Sequence, residues 1–163
     1  MGTKGKEIVG VNVDELLKML NKAYADEWLA YYQYWVGAKV ASGRMRSIVA
    51  GELEEHAKEE LAHAEMLTER IVTLGGSPLL TPQDLLKESG CGYDAPSDPN
   101  TEKLVKQNIK GEQCAIAVYK KILDFVEGKD PITYHMILEI LEDEVEHEED
   151  LEAILADMTT PIK

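Results

Sequence analysis

The spacing of its interruptions constrains this chain more than any other feature. Four long stretches repeat apolar residues at intervals of three and four, the period of a helix burying one stripe. The first runs from Val13 to about Val40, with Leu16, Leu20, Tyr24, Trp28, Tyr31 and Trp35 on the stripe. Asn12, with Glu15 three residues on, opens it as a capping box does, and Ser42-Gly43 closes it. The second runs from about Met45 to Leu74 through Leu53, Ala57, Leu61, Ala64, Leu67 and Ile71, and stops at Gly75-Gly76. The third spans about Thr101 to Val126 and is closed by Gly128. Asp130-Pro131 caps and starts the fourth, which reaches about Met158 before Pro161. Between Gly75 and Asn100 lie Pro78, Pro82, Pro96 and Pro99, with one short helix predicted from Thr81-Pro82.

Link length fixes the topology. Connections of about four residues between the first two helices and about three between the last two make antiparallel hairpins. The middle link of about twenty-five residues can travel the length of a thirty-residue helix, roughly 45 Å. The result is an all-α four-helix bundle with one long crossover between the second and third helices. A single Phe and few β-branched runs leave little material for a sheet. At 163 residues and 44% hydrophobic, residues 1–163 are expected to form a single domain. No internal repeat is evident.

Charge narrows the partners. Against 17 Lys+Arg stand 31 Asp+Glu, a formal net charge of −14, which repels phosphates and suits cations. No apolar run approaches the roughly 18–20 residues of a membrane span. The basic start Met1-Gly2-Thr3-Lys4-Gly5-Lys6 leads into no apolar stretch, so a cytoplasmic location is expected. Two cysteines, Cys91 and Cys114, are too few for a disulfide scaffold or a four-thiolate zinc site.

Two histidines follow a glutamate by three residues: Glu60 with His63 on the second helix, and Glu144 with His147 on the fourth. Residues three apart share a helix face, so each pair offers a carboxylate and an imidazole to one metal. The first helix adds Glu27 and the third Glu112, each on an apolar stripe where an unpaired carboxylate is costly. Glu27 and Glu60 are 33 residues apart, and Glu112 and Glu144 are 32 apart. In antiparallel hairpins each pair sits level, so all six can converge at one depth. Carboxylate oxygens with one imidazole per metal suit iron(II) or manganese. Tyr34, seven residues after Glu27, is either a hydrogen-bond or electron donor to the site or a core tyrosine. His56, one turn before Glu60, is either a supporting neighbour or a rim histidine, and His135 reads as structural. Glu142, Asp143, Glu146, Glu148, Glu149 and Asp150 read mostly as a solvated face.

These segments resemble the ferritin-like superfamily, bacterioferritin above all. Ala25-Asp26-Glu27-Trp28-Leu29-Ala30-Tyr31-Tyr32-Gln33-Tyr34 is similar to its first-helix motif. The run from Glu60 through His63 to Ile71 is similar to its second-helix motif, and Leu138 to Leu151 to its fourth. The resemblance implies that Glu27, Glu60, His63, Glu112, Glu144 and His147 are ferroxidase ligands. They would hold two iron ions per subunit, with manganese or zinc as alternatives. Leu61 stands where bacterioferritin has its haem-ligating methionine, so no haem is expected. Only sixteen residues follow His147, which implies no fifth helix and favours a twelve-subunit cage over twenty-four.

A bacterioferritin-type site, a short C-terminal segment and the cysteine pair resemble the DPS-like proteins called thioferritins. Their dodecameric cages oxidise iron(II), preferably with hydrogen peroxide, and store the mineral. Cys91 and Cys114 are then either a disulfide pinning the crossover or a redox-active thiol pair. The expectation is iron(II) oxidation by hydrogen peroxide or dioxygen, iron(III) storage in a homo-oligomeric cage, and protection from oxidative stress. The alternative is a rubrerythrin-like peroxidase or manganese catalase without a mineral store. DNA coating would rest on Lys4 and Lys6 alone.

Overall fold

The computed structural model describes residues 2–160. Six helices follow one another: α1 (Thr3–Glu7), α2 (Val13–Val40), α3 (Arg46–Thr73), α4 (Pro82–Glu88), α5 (Thr101–Val126) and α6 (Pro131–Thr159). Among the described residues there is no strand, only an isolated bridge between Ser42 and Asn100. The long helices are those the sequence predicts, α2 pairing with α3 and α5 with α6. The short α1 buries no residue, so it carries no periodic signal. Pro161 lies outside the described residues.

Side-chain caps start most of the helices. Asn12 Oδ1 accepts from the Glu15 N–H at 3.0 Å, and Asn100 Oδ1 from Glu102 at 3.1 Å. Asp130 Oδ1 accepts from both Ile132 and Thr133 at 3.2 Å. Among the long helices α3 is the exception, preceded by Met45 at φ 55° with no side-chain cap. Its corner, which turns through Gly43 at φ 109°, is held by the end of the crossover instead. Ser42 N–H donates to Pro99 O at 2.8 Å, Thr101 N–H to Ser42 O at 3.0 Å, and Thr101 Oγ1 to Arg44 O at 2.7 Å. At the other end of α3, a Cβ on Gly76 would stand 2.6 Å from Leu17 Cδ2, so any larger residue there would have to displace the Leu17 side chain.

The core is in two parts. One apolar cluster gathers Leu16, Leu20, Leu67, Ile71, Ile122 and Ile137; the other gathers Ala38, Leu53, Leu104, Val105 and Leu151. Beside the first, Arg70 is buried against Asp130 (Nη2 to Oδ2, 2.6 Å) and Thr133 (Nε to Oγ1, 2.7 Å), tying α3 to the start of α6. The crossover lies along α2. Asp26 accepts from the Ser89 hydroxyl and from Cys91 N–H at 2.9 Å, and Gln33 Oε1 accepts from Asp94 N–H at 3.0 Å. Cys91 and Cys114 form a disulfide, Cα–Cα 5.8 Å, which pins the crossover to α5.

Candidate metal centre

Between the two apolar clusters lies a layer of ionisable side chains contributed by all four long helices. Glu27, Glu60, His63, Glu112, Glu144 and His147 are each at most 3% exposed. They form two quartets: Glu27, Glu60, His63 and Glu144, and Glu60, Glu112, Glu144 and His147. Within each quartet one potential ligand atom per residue lies within 4.8 Å of all the others. Glu60 and Glu144 belong to both. Two cations in this layer would therefore share two carboxylates and each keep one further carboxylate and one imidazole.

Burying four carboxyls and two imidazoles is unfavourable without a cation, and the layer shows it. Glu27 Oε2, Glu60 Oε1, Glu144 Oε1 and His147 Nδ1 are buried with no hydrogen-bond partner. Burial and the neighbouring Glu27 push Glu60 well above the usual carboxylate range, and burial with Glu144 does the same to Glu112. Burial, then Glu60 and Glu27, pushes Glu144 up to about 8. Burial alone would lower His63, but the carboxyls of Glu144, Glu27 and Glu60 crowded around Nδ1 outweigh it and raise the imidazole. Burial opposes ionisation of Glu27, yet the neighbouring His63 and Glu60, with the Tyr119 hydroxyl, hold that carboxyl low. A divalent cation would displace the protons these groups retain. The orphaned oxygens and nitrogen would be its donors, and a mixed carboxylate–imidazole set fits iron(II), manganese(II) or zinc.

Outer partners orient the imidazoles. His63 Nε2 meets Asp143 Oδ2 at 3.1 Å, and His147 Nε2 meets Glu59 Oε2 at 2.9 Å. A carboxylate only accepts, so each ring carries a proton on Nε2 and turns Nδ1 toward the layer. Tyr34 donates to Glu112 and Tyr119 to Glu27, each reaching across from the opposite hairpin. Tyr34 is thus a hydrogen-bond donor to the layer as well as a core side chain. His56 is no rim histidine: it is 2% exposed and stacks on His147, ring centroids 4.1 Å apart. Burial, and then His147, lowers its pKa to about 3. His135 is exposed and apart from the layer.

Sequence reasoning missed Tyr119, Glu59 and Asp143, the last of these assigned to a solvated face. The signal was a repeat. Tyr119 follows Glu112 by seven residues as Tyr34 follows Glu27, and an acid precedes each Glu-x-x-His. The two hairpins repeat one functional pattern, although the sequence at large shows no internal repeat.

A cavity of about 200 Å³ leads to Glu27, Glu60, Glu112 and Glu144 between α2, α5 and the crossover, passing Cys91, Gly92 and Asp94. The sequence of residues 17–160 matches a known family, the ferritin-like domain. The chain belongs to the ferritin-like family. The DNA protection during starvation protein of Pyrococcus furiosus is 35% identical over 151 residues, 91% of this chain and 81% of that one. Bacterioferritin of Rhodobacter capsulatus is 26% identical over 139 residues, 85% of this chain and 81% of that one. Among solved structures, the dodecameric thioferritin of Bacteroides fragilis, a bacterioferritin-related protein, superposes with a TM-score of 0.94. It is 43% identical, with 96% of this chain and 95% of that chain covered. Among the described residues, no helix of this ferritin-like chain is long and apolar enough to cross a membrane.

Proposed function

We propose that this ferritin-like chain oxidises iron(II) at the buried layer and stores iron(III) inside a homo-oligomeric cage of twelve subunits. The observation that carries the reading is the pair of quartets sharing Glu60 and Glu144. Shared carboxylates hold two iron(II) ions side by side, one with Glu27 and His63, the other with Glu112 and His147. Each iron(II) supplies one electron, and two electrons with two protons convert one hydrogen peroxide to two waters. Dioxygen is the second oxidant of the proposal. Consuming peroxide with paired iron removes both ingredients of hydroxyl-radical chemistry, which is the protection against oxidative stress. The likeness to a dodecameric thioferritin supports the cage.

The test combines native mass, metal content and iron retention. Wild-type protein should have the mass of twelve chains, bind two metal ions per chain at this layer, and retain far more iron after oxidative loading. Glu60→Ala with His63→Ala should keep the assembly and lose both bound metals and rapid oxidation. A handful of iron atoms retained per chain would indicate a peroxidase of the rubrerythrin or manganese-catalase kind and overturn the storage reading. Unchanged metal content in the double variant would overturn the site itself.

A further inference from the structure

Residues 89–94 of the crossover border the cavity that leads to the layer, with Cys91, Gly92 and Asp94 in its wall. None of the six is buried, so no apolar packing holds this segment down. Its attachments to α2 are polar. Asp26 Oδ1 accepts from the Ser89 hydroxyl and, at 2.9 Å, from the Cys91 N–H, while Asp94 N–H donates to Gln33 Oε1 at 3.0 Å. On the α5 side, among the described residues, it has a hydrogen bond from Gln107 Nε2 to Asp94 O and the disulfide to Cys114.

These attachments bracket the proposed ligands. Asp26 immediately precedes Glu27, and Cys114 follows Glu112 by two residues. Glu27 and Glu112 are the two carboxylates that belong to one quartet each. The crossover segment therefore ties α2 to α5 beside both, and the covalent part of the tie is the Cys91–Cys114 bond. Neither cysteine belongs to either apolar cluster. Breaking the bond would free a surface segment and leave the core of the bundle packed, a local opening rather than global unfolding. Both cysteines are half-buried, on a cavity wall rather than in the core, and accessible disulfides are the reducible ones.

We propose that this disulfide is a reversible latch that governs how fast the layer exchanges its cations. With the bond formed, the cavity wall is fixed and the ions are retained; with the two thiols free, the wall opens and they leave. A dithiol opens the latch by exchange: its own sulfurs end as a disulfide, and its two protons pass to Cys91 and Cys114. Hydrogen peroxide closes it. One thiol takes an oxygen to become a sulfenic acid and releases water, and the second thiol condenses with it, releasing a second water. The oxidant of the proposed iron chemistry would thus lock the iron in, and reducing conditions would release it. The inference rests on the two-metal reading of the layer.

Full-length protein, oxidised or reduced with dithiothreitol that is then removed without air, is loaded with manganese(II) and challenged with excess chelator. Manganese remaining on the protein is measured over time, and amide hydrogen exchange of residues 89–94 is followed in parallel. Reduced wild type should lose manganese at least about tenfold faster than oxidised wild type, and residues 89–94 should exchange faster. Cys91→Ser with Cys114→Ser should behave as reduced protein under both conditions, its melting measured alongside. Hydrogen peroxide, one equivalent per chain, should restore the slow release in wild type alone. Equal release from oxidised and reduced wild type, or a double variant as retentive as the oxidised protein, would overturn the latch. Glu60→Ala with His63→Ala isolates the other reading. If that variant binds manganese as wild type does, the two-metal reading fails, and hydrogen exchange still decides the latch: no change at residues 89–94 on reduction would refute it.

Discussion

A layer built to receive cations should make the metal-free protein less stable than a neutral version of itself, and Glu144→Gln measures by how much. Glu144 is 1% exposed and its carboxyl is pushed up to about 8, by burial first and then by Glu60 and Glu27. At pH 7 it keeps its proton in the fold, whereas in the unfolded chain it ionises. That difference favours unfolding by about 3 kcal/mol at pH 7. A raised carboxyl pKa contributes stability that is fully present below the ordinary carboxylate value. It is lost as pH rises toward 8. Glutamine is already neutral, retains an acceptor for His63, and does not change with pH. Metal-stripped Glu144→Gln should therefore melt roughly 6–12 °C above metal-stripped wild type at pH 7, for a chain of this size. The gap should close near pH 4. Adding manganese(II) or zinc should reverse the order, because at one hundred times the dissociation constant each of the two cations adds about 2.7 kcal/mol to wild type, together more than the gap. The variant, short of a shared carboxylate, should gain little. Calorimetry with and without chelator, at fixed chain concentration, gives all of these comparisons. A metal-free variant less stable than wild type at pH 7 would refute the reasoning, since Glu144 would then be a structural partner of His63.

Three further outcomes follow from other parts of the fold. Asp130→Ala removes both the α6 cap and the buried partner of Arg70 and should cost about 3–5 kcal/mol in urea unfolding at pH 7. Burial works to raise the Asp130 carboxyl, but Thr133 and Arg70 outweigh it and hold it low. That stability is present above the ordinary carboxylate pKa and lost as pH falls through the folded one, so the penalty should shrink in acid. Asp143→Asn should keep the fold but weaken cation binding by calorimetric titration about 10–100-fold, through the orientation of His63. Replacing Cys91 and Cys114 with serine releases a constraint across 23 residues, which should lower stability by about 3 kcal/mol against the oxidised protein. Reductant should affect wild type alone.

The bundle was legible because its punctuation is chemical. Asn12 and Asp130 stand where side-chain oxygens must accept the first amide protons of a helix, and both do so. The unequal links then admit one arrangement. The start of α3, expected at about Met45 and found at Arg46, has no such signal, since Met45 has a left-handed backbone and no capping side chain. The corner is set by hydrogen bonds from Ser42 and Thr101 that join residues more than fifty positions apart. The sequence gives no local cue for such contacts. Asp26 is similar: it reads as an acid beside Glu27, yet it anchors Cys91 and Ser89 of the crossover.

At the site, legibility stopped where exposure became intermediate. Glu27, Glu60, Glu112 and Glu144 are conspicuous because a carboxylate on an apolar stripe demands an explanation. Glu59 and Asp143 demand none: both side chains are 46% exposed and sit among other acids. Yet each holds the Nε2 of a buried histidine, and so decides which nitrogen turns inward. A half-exposed carboxylate has one oxygen in water and the other free to bind an interior donor, and composition cannot tell it from its fully solvated neighbours. What does tell them apart is correspondence between the hairpins, because an acid before each Glu-x-x-His and a tyrosine seven after each lone Glu occur twice in equivalent places. The same correspondence isolates His56, whose counterpart is Ile140. Where both halves agree, the residues serve the shared layer; where they differ, as at His56, only one half places an imidazole against a layer histidine.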